Sequence, residues 1–236
     1  MSTLRSILVT GSNQGLGMHT VHKLASTPNV LVFMGSRKLA AAEEARAKFA
    51  TDINSSSTVV PVQLDITDDT SIQNAHAFIA NHLKEQGLRG LDVLINNAGR
   101  VGTFEEVYAV NVFGAVAITE AIRPLLNNGG AILNISSKLG SLKWHTERPP
   151  PRIFLAYSSS KSALNSLTLQ WAIQEEQKSS GIRVVSICPG YNATNLNNYG
   201  SGAMSPAEGC MIIVKTALEK EGRSGVYFNK HGDLAW

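Results

Sequence analysis

The chain has 236 residues, 43% of them hydrophobic and 17% charged, with a formal net charge of +3. That length and apolar content suit one soluble domain with a full core, spanning 1–236. Lys and Arg are scattered without a basic block, so nucleic acid is not an implied partner, and no stretch approaches a membrane span or a signal-peptide core; the expectation is a cytoplasmic protein.

The elements alternate. Residues 7–10 form a β-branched, strand-like run that ends in Thr10-Gly11-Ser12-Asn13-Gln14-Gly15-Leu16-Gly17, and a helical period follows over 17–26. Glycines at such a turn allow unusual backbone angles and close approach, while free amides at the helix start favour a pyrophosphate. The spacing Gly-x-x-x-Gly-x-Gly departs from the Gly-x-Gly-x-x-Gly fingerprint. His19 and His22 share helical spacing but carry no ligand set with them, so they read as helix-face residues and no metal is expected. A second strand over 30–34 runs into Gly35-Ser36-Arg37-Lys38, and a helix over 39–50 follows. A third strand over 59–62 leads to Asp65-Ile66 and a helix over 71–86. A fourth, over 93–95, leads to Asn96-Asn97-Ala98-Gly99 and a helix over 104–126 that contains Asn111.

The fifth strand, over 131–135, ends in Ser136-Ser137 and precedes a stretch over 143–152 that reads as a loop, rich in Trp144 and the stiff run Pro149-Pro150-Pro151. The helix over 154–178 then carries Tyr157 and Lys161, four residues apart and so on one face. A phenol beside an ammonium makes an acid/base unit, because a nearby positive charge favours phenolate. A sixth strand over 184–187 is followed by Cys188, Pro189, Gly190 and a polar loop over 191–205. Next come a helix over 206–219 and a seventh strand over 226–228. Cys188 and Cys210 share no motif and read as reduced, buried thiols. Strand-helix alternation of this kind implies a Rossmann-type, doubly wound α/β sheet of about seven parallel strands with helices on both faces. Ligands of such sheets bind beyond the carboxyl ends of the strands.

The Gly11 to Gly17 turn and the Tyr157/Lys161 pair together resemble the short-chain dehydrogenase/reductase family, whose phosphate loop is Thr-Gly-x-x-x-Gly-x-Gly and whose active site is Tyr-x-x-x-Lys. Asp65-Ile66, Asn96 to Gly99, Asn111, Asn134 to Ser137, Pro189-Gly190 and Thr194 extend the resemblance along nearly the whole chain. The resemblance implies a dinucleotide held by Gly11, Ser12, Asn13, Gly15, Leu16 and Gly17. Asp65 and Ile66 would flank the adenine, and Asn97, Ala98 and Gly99 would line the adenosine side. Pro189, Gly190, Asn192 and Thr194 would border the nicotinamide, although the family has a β-branched apolar residue where Asn192 stands. Arg37, with Ser36, Lys38 and Ser12 nearby, suits a 2'-phosphate, so NADP(H) is preferred over NAD(H).

The implied catalytic residues are Asn111, Ser137, Tyr157 and Lys161. In reduction Tyr157 would protonate the carbonyl oxygen, and Ser137 would hydrogen-bond it. Lys161 would hold the nicotinamide ribose and, with the oxidised nicotinamide's charge, lower the Tyr157 pKa. Asn111 would bend its helix and hold a water linked to Lys161. The second serine of the pair, Ser137, is chosen over Ser136. The expected reaction is reduction of a moderately apolar ketone or aldehyde, as in small carbonyl reductases. Leu139, Leu142, Trp144, Tyr191, Tyr199 and Met204 are candidates for the pocket lining, and 191–205 for a lid. Rival readings are an NADP-dependent alcohol dehydrogenase working oxidatively and a non-catalytic NADP(H) sensor or scaffold. The oligomeric state stays open between monomer and homodimer.

Overall fold

The computed structural model describes residues 4–147 and 154–236. Eight strands form one sheet in the order β3-β2-β1-β4-β5-β6-β7-β8, with β1 Arg5–Val9, β2 Val30–Ser36, β3 Thr58–Gln63, β4 Leu91–Asn96, β5 Leu126–Ile135, β6 Arg183–Ile187, β7 Val226–Asn229 and β8 Gly232–Asp233. The first seven pair in parallel, and β8 turns back antiparallel on β7. An eighth strand was not expected. Its two residues are too short to show a period, and they follow a tight Lys230-His231 turn.

Because successive side chains alternate faces, Ile7 and Val9 enter one core layer and Leu8 enters the other. The first layer packs under α1 Gly15–Ala25, α2 Leu39–Ala47 and the later α9 Met211–Leu218. The second packs under α3 Asp69–Glu85, α5 Ala115–Ile122 and α7 Leu155–Gln177. All seven residues of β2 are buried, as a strand covered on both faces requires. Cys188 and Cys210 are buried and unbridged. Among the described residues no helix is long and apolar enough to cross a membrane.

Three elements differ from the sequence expectation. The helix expected over 104–126 is divided into α4 Phe104–Tyr108, a π turn Ala109–Gly114, α5 and a short 3-10 turn Arg123–Leu125. Gly114 lies against Ile66, where an added Cβ would come 2.8 Å from the Ile66 carbonyl oxygen. The helix expected over 206–219 is divided at Cys210 into α8 Pro206–Gly209 and α9. Part of the stretch read as a loop is helical, α6 Leu142–Glu147. The Trp144 amide donates to the Ser141 hydroxyl at 3.0 Å, capping the start, and Lys143 and Glu147 pair at 3.2 Å one turn apart. The proline run at 149–151 lies outside the described residues.

Candidate active site

At the end of β1 the chain turns through Gly11 (φ +59°) and Gly15 (φ +54°) into α1. Space here is set by backbone. A Cβ on Gly11 would lie 2.8 Å from the Ala98 Cα, and one on Gly17 would lie 2.4 Å from the Asn97 side-chain nitrogen. Thr10 joins the two strand ends, its hydroxyl accepting from the amides of Asn97 at 3.1 Å and Ala98 at 3.0 Å. The Asn97 side chain returns hydrogen bonds to the Thr10 and Gly11 carbonyls. Helix α1 starts at Gly15 with no side-chain cap from Gln14 and no acidic residue in its first turn. Its leading amides therefore offer a positive end to an anion. The neighbouring strand, β2, delivers Arg37 and Lys38 exposed to solvent at the same edge.

Two serines expected near the anion turn their hydroxyls to backbone carbonyls. The Ser12 hydroxyl donates to the Val9 and Gly35 carbonyls, and that of Ser36 to the Lys38 carbonyl at 3.0 Å. Both residues are buried. Serines beside strand ends satisfy local carbonyls before they reach a ligand. Asp65 is likewise engaged in its own turn, accepting from the Thr67 amide and hydroxyl.

Loop 191–205 leans on this turn. It is closed by a bridge between Asn192 and Met204 and contains a short 3-10 turn Asn195–Asn197. The Thr194 methyl would lie 3.3 Å from a Cβ on Gly15, and Asn195 donates to Gln14 at 2.9 Å. The Asn192 side chain folds back to the carbonyls of Pro189 and Gly190 and is buried. Of the apolar residues proposed for the pocket, Leu142, Tyr191 and Tyr199 are exposed, and Met204 packs at Gly190.

At the end of β5, Ser136 turns inward to Asn165, which it meets at 2.7 Å, while Ser137 remains half-exposed. The next turn, Lys138–Gly140, abuts α7 so closely that a Cβ on Gly140 would lie 2.8 Å from the Lys161 carbonyl carbon. That contact places Ser137 beside Tyr157. The buried Lys161 ammonium donates to the Ile135 carbonyl at 2.7 Å and lies 5.7 Å from the centre of the Tyr157 ring. Asn111, 1% exposed, uses its amide to hold Arg100 and to reach Ser160 on α7 at 3.0 Å. Gly99 sits between these parts, where a Cβ would fall 3.5 Å from Asn111 and 3.6 Å from the Lys161 ammonium.

Burial sets the proton affinities. It pushes the Tyr157 phenol up to about 12, against a hydrogen bond from Ser137 that favours the phenolate, and it pulls Lys161 down to about 8. The expected lowering by Lys161 together with the oxidised nicotinamide's charge concerns the cofactor-bound protein; in the chain alone, desolvation of the phenolate dominates. Tyr157 is held as a protonated phenol.

A buried polar row also escaped the sequence reading. Asn96, Asn134, Ser186 and Tyr227 occupy matching register positions on four adjacent strands. Asn96 donates to Asn134, Asn134 to Thr168, and Ser186 to Asn165, so the row ties the sheet to α7. The signal was available: polar residues near the carboxyl ends of strands that should be apolar throughout.

The chain matches the family described as short chain dehydrogenase over residues 5–202. It is 34% identical over 232 residues to the short-chain dehydrogenase anuI of Penicillium roqueforti, covering 90% of this chain and 88% of that one. The NADPH-bound carbonyl reductase from chicken fatty liver superimposes with a TM-score of 0.80 at 30% identity, with 100% of both chains covered. Salutaridine reductase from Papaver somniferum shares the fold at 24% identity, with a TM-score of 0.81 over 95% of this chain and 99% of that one.

Proposed function

The chain belongs to the short-chain dehydrogenase family, and from that premise we propose that it is an NADPH-dependent carbonyl reductase acting on a ketone or aldehyde. The observation that carries this reading is the meeting of Tyr157, Ser137 and the buried Lys161 ammonium at the end of β5. NADPH, when bound, supplies the hydride. The uncapped start of α1 fits its pyrophosphate, and the exposed Arg37 and Lys38 fit its 2'-phosphate. Gly11, Gly15 and Gly17 keep side chains out of the groove between those groups, with Asn13 and Leu16 on the same turn. Asn97, Ala98, Gly99, Asp65 and Ile66 border the adenosine side, and Pro189, Gly190, Asn192 and Thr194 the nicotinamide side.

Tyr157 donates its proton to the carbonyl oxygen, and Ser137 hydrogen-bonds that oxygen as charge develops. With its pKa raised by burial, the phenol is in the acid form that proton donation requires. Lys161 steadies the phenolate that forms. Asn111 keeps the Gly99-Arg100 segment against α7 and so preserves the approach to Lys161.

Carbonyl-dependent NADPH oxidation, followed across a panel of aldehydes, ketones and quinones, tests the reading. Tyr157→Phe is expected to lower kcat by roughly a hundredfold or more. Undiminished turnover by that variant would remove Tyr157 from the chemistry.

A further inference from the structure

We propose that Tyr227 is a positioning residue for catalysis, a strut that sets the orientation of Ser137 from two strands away, and that the tail carrying Trp236 holds the strut in place. The proposal rests on the active-site reading above. Tyr227 lies on β7, and its register partner Ser186 on β6 pairs in turn with Asn134 on β5. All three side chains belong to the row that faces α7. Tyr227 alone in that row is long enough to pass β6 and reach the loop after β5. Its hydroxyl donates to the Ser137 carbonyl at 2.6 Å, and the residue is 2% exposed.

Ser137 is held at three points. Its carbonyl also accepts from the Gly140 amide at 2.7 Å, and its side-chain oxygen accepts from the Leu139 amide at 3.2 Å. The Gly140 and Leu139 contacts lie within the same tight turn and move with it. Ser162 and Asn165 on α7 hold the Gly140 carbonyl at the far end of the turn, and the Tyr227 contact ties the Ser137 peptide itself to β7, so it sets how the near end of the turn presents the serine hydroxyl to Tyr157. A hydroxyl displaced by a few tenths of an ångström stabilises an oxyanion less well, while cofactor binding stays unaffected.

The strut is itself supported from behind. The Trp236 ring packs on the Tyr227 ring with centroids 5.4 Å apart, and the Leu234 amide donates to the Tyr227 carbonyl at 2.8 Å. The same tail reaches α6, where the Ser141 hydroxyl donates to the Ala235 carbonyl at 2.7 Å and the Lys143 amide donates to that of Trp236 at 3.0 Å. One short segment therefore braces both the Ser137 turn and the helix beside it.

The test is a double-mutant cycle of Tyr227→Phe and Ser137→Ala. The phenylalanine keeps the ring packing, and the Ser137 carbonyl retains the Gly140 amide, so the variant is expected to fold, which its thermal unfolding midpoint checks. In the wild-type background Tyr227→Phe should lower kcat about tenfold with the KM for NADPH unchanged. In the Ser137→Ala background, measured by single turnover, it should change the rate less than twofold. Equal losses in both backgrounds would overturn the strut, as would no loss in the wild type. Full activity of Ser137→Ala would instead overturn the site assignment, and the strut with it.

Discussion

Around the β1–α1 turn backbone crowds backbone, with the Ala98 Cα and the Gly11 carbonyl within 3 Å of where glycine side chains would stand, and the side chains of Thr10 and Asn97 tie that crowded backbone to the end of β4. Around the β5–α7 junction, beside the close packing of Gly140 on the Lys161 backbone, side chains bond one another: Ser136 and Ser186 to Asn165, Asn134 to Thr168, Asn111 to Ser160. The first region must admit a large, repetitive ligand surface, which the peptide units themselves can meet. The second must hold single functional groups in register, which takes a hydrogen-bonded side-chain network. The two regions should therefore fail differently when altered. The cofactor end should fail by crowding, and the reacting end by loss of a partner.

The largest effect is expected at the far end of α7. Glu175 is 3% exposed and accepts from Arg123 at 3.0 Å, Lys178 and Ser180. Burial pushes its carboxyl up, but hydrogen bonds from Ser180, Arg123 and Lys178 outweigh that and leave it below its usual value. Glu175→Gln leaves the buried Arg123 with only the exposed Glu120 as a charged partner and should cost about 3 kcal/mol in urea unfolding at neutral pH. A carboxyl with a depressed folded pKa contributes fully above its unfolded value and loses that contribution as pH falls through the folded one. The gap between wild type and variant should therefore narrow below pH of about 4. A gap that stays constant with pH would show that charge at Glu175 is not what holds α7.

The next effect belongs to the cofactor end. Gly17→Ala places a methyl 2.4 Å from the Asn97 amide nitrogen and 2.8 Å from the Gly11 carbonyl oxygen. Asn97 cannot yield without releasing its hydrogen bonds to Thr10 and Gly11, so the turn must widen. Overpacking of this kind costs about 2 kcal/mol, and it should appear as weaker NADPH affinity in a binding titration. Unchanged affinity would mean that the turn is looser than its contacts imply.

This contrast also explains what the sequence made legible. Glycines that backbone crowding demands leave a fixed spacing, so the Gly11 to Gly17 turn and the strand-helix alternation were readable, as was the family. The side-chain network leaves no such spacing, because its partners are far apart in the chain: Asn96 meets Asn134, and Tyr227 meets Ser137 across 90 positions. Choosing Ser137 over Ser136 needed the family pattern, and the inward turn of Ser136 gives the physical reason for it. Helix α6 was hidden by its six-residue length and by a cap, Ser141, that reads as an ordinary loop serine. For Ser12 and Ser36 the sequence likewise shows a hydroxyl and not the carbonyl to which it donates.

Their inward turn sharpens the smallest of the expected effects. With both hydroxyls turned to backbone carbonyls, recognition of a 2'-phosphate is expected chiefly from Arg37 and Lys38, of which only the guanidinium offers a planar, two-pronged donor set. Arg37→Glu replaces that donor with a repelling carboxylate on an exposed site where solvent screens the interaction, so the KM for NADPH should rise about tenfold. The KM for NADH should move much less, because its ribose hydroxyls can donate to the new carboxylate. Lys38→Ala, which removes a point charge and no fork, should raise the KM for NADPH less than Arg37→Glu does. Equal effects of the two substitutions would mean that general positive charge at the end of β2 draws in the cofactor, and that Arg37 does not read the phosphate directly.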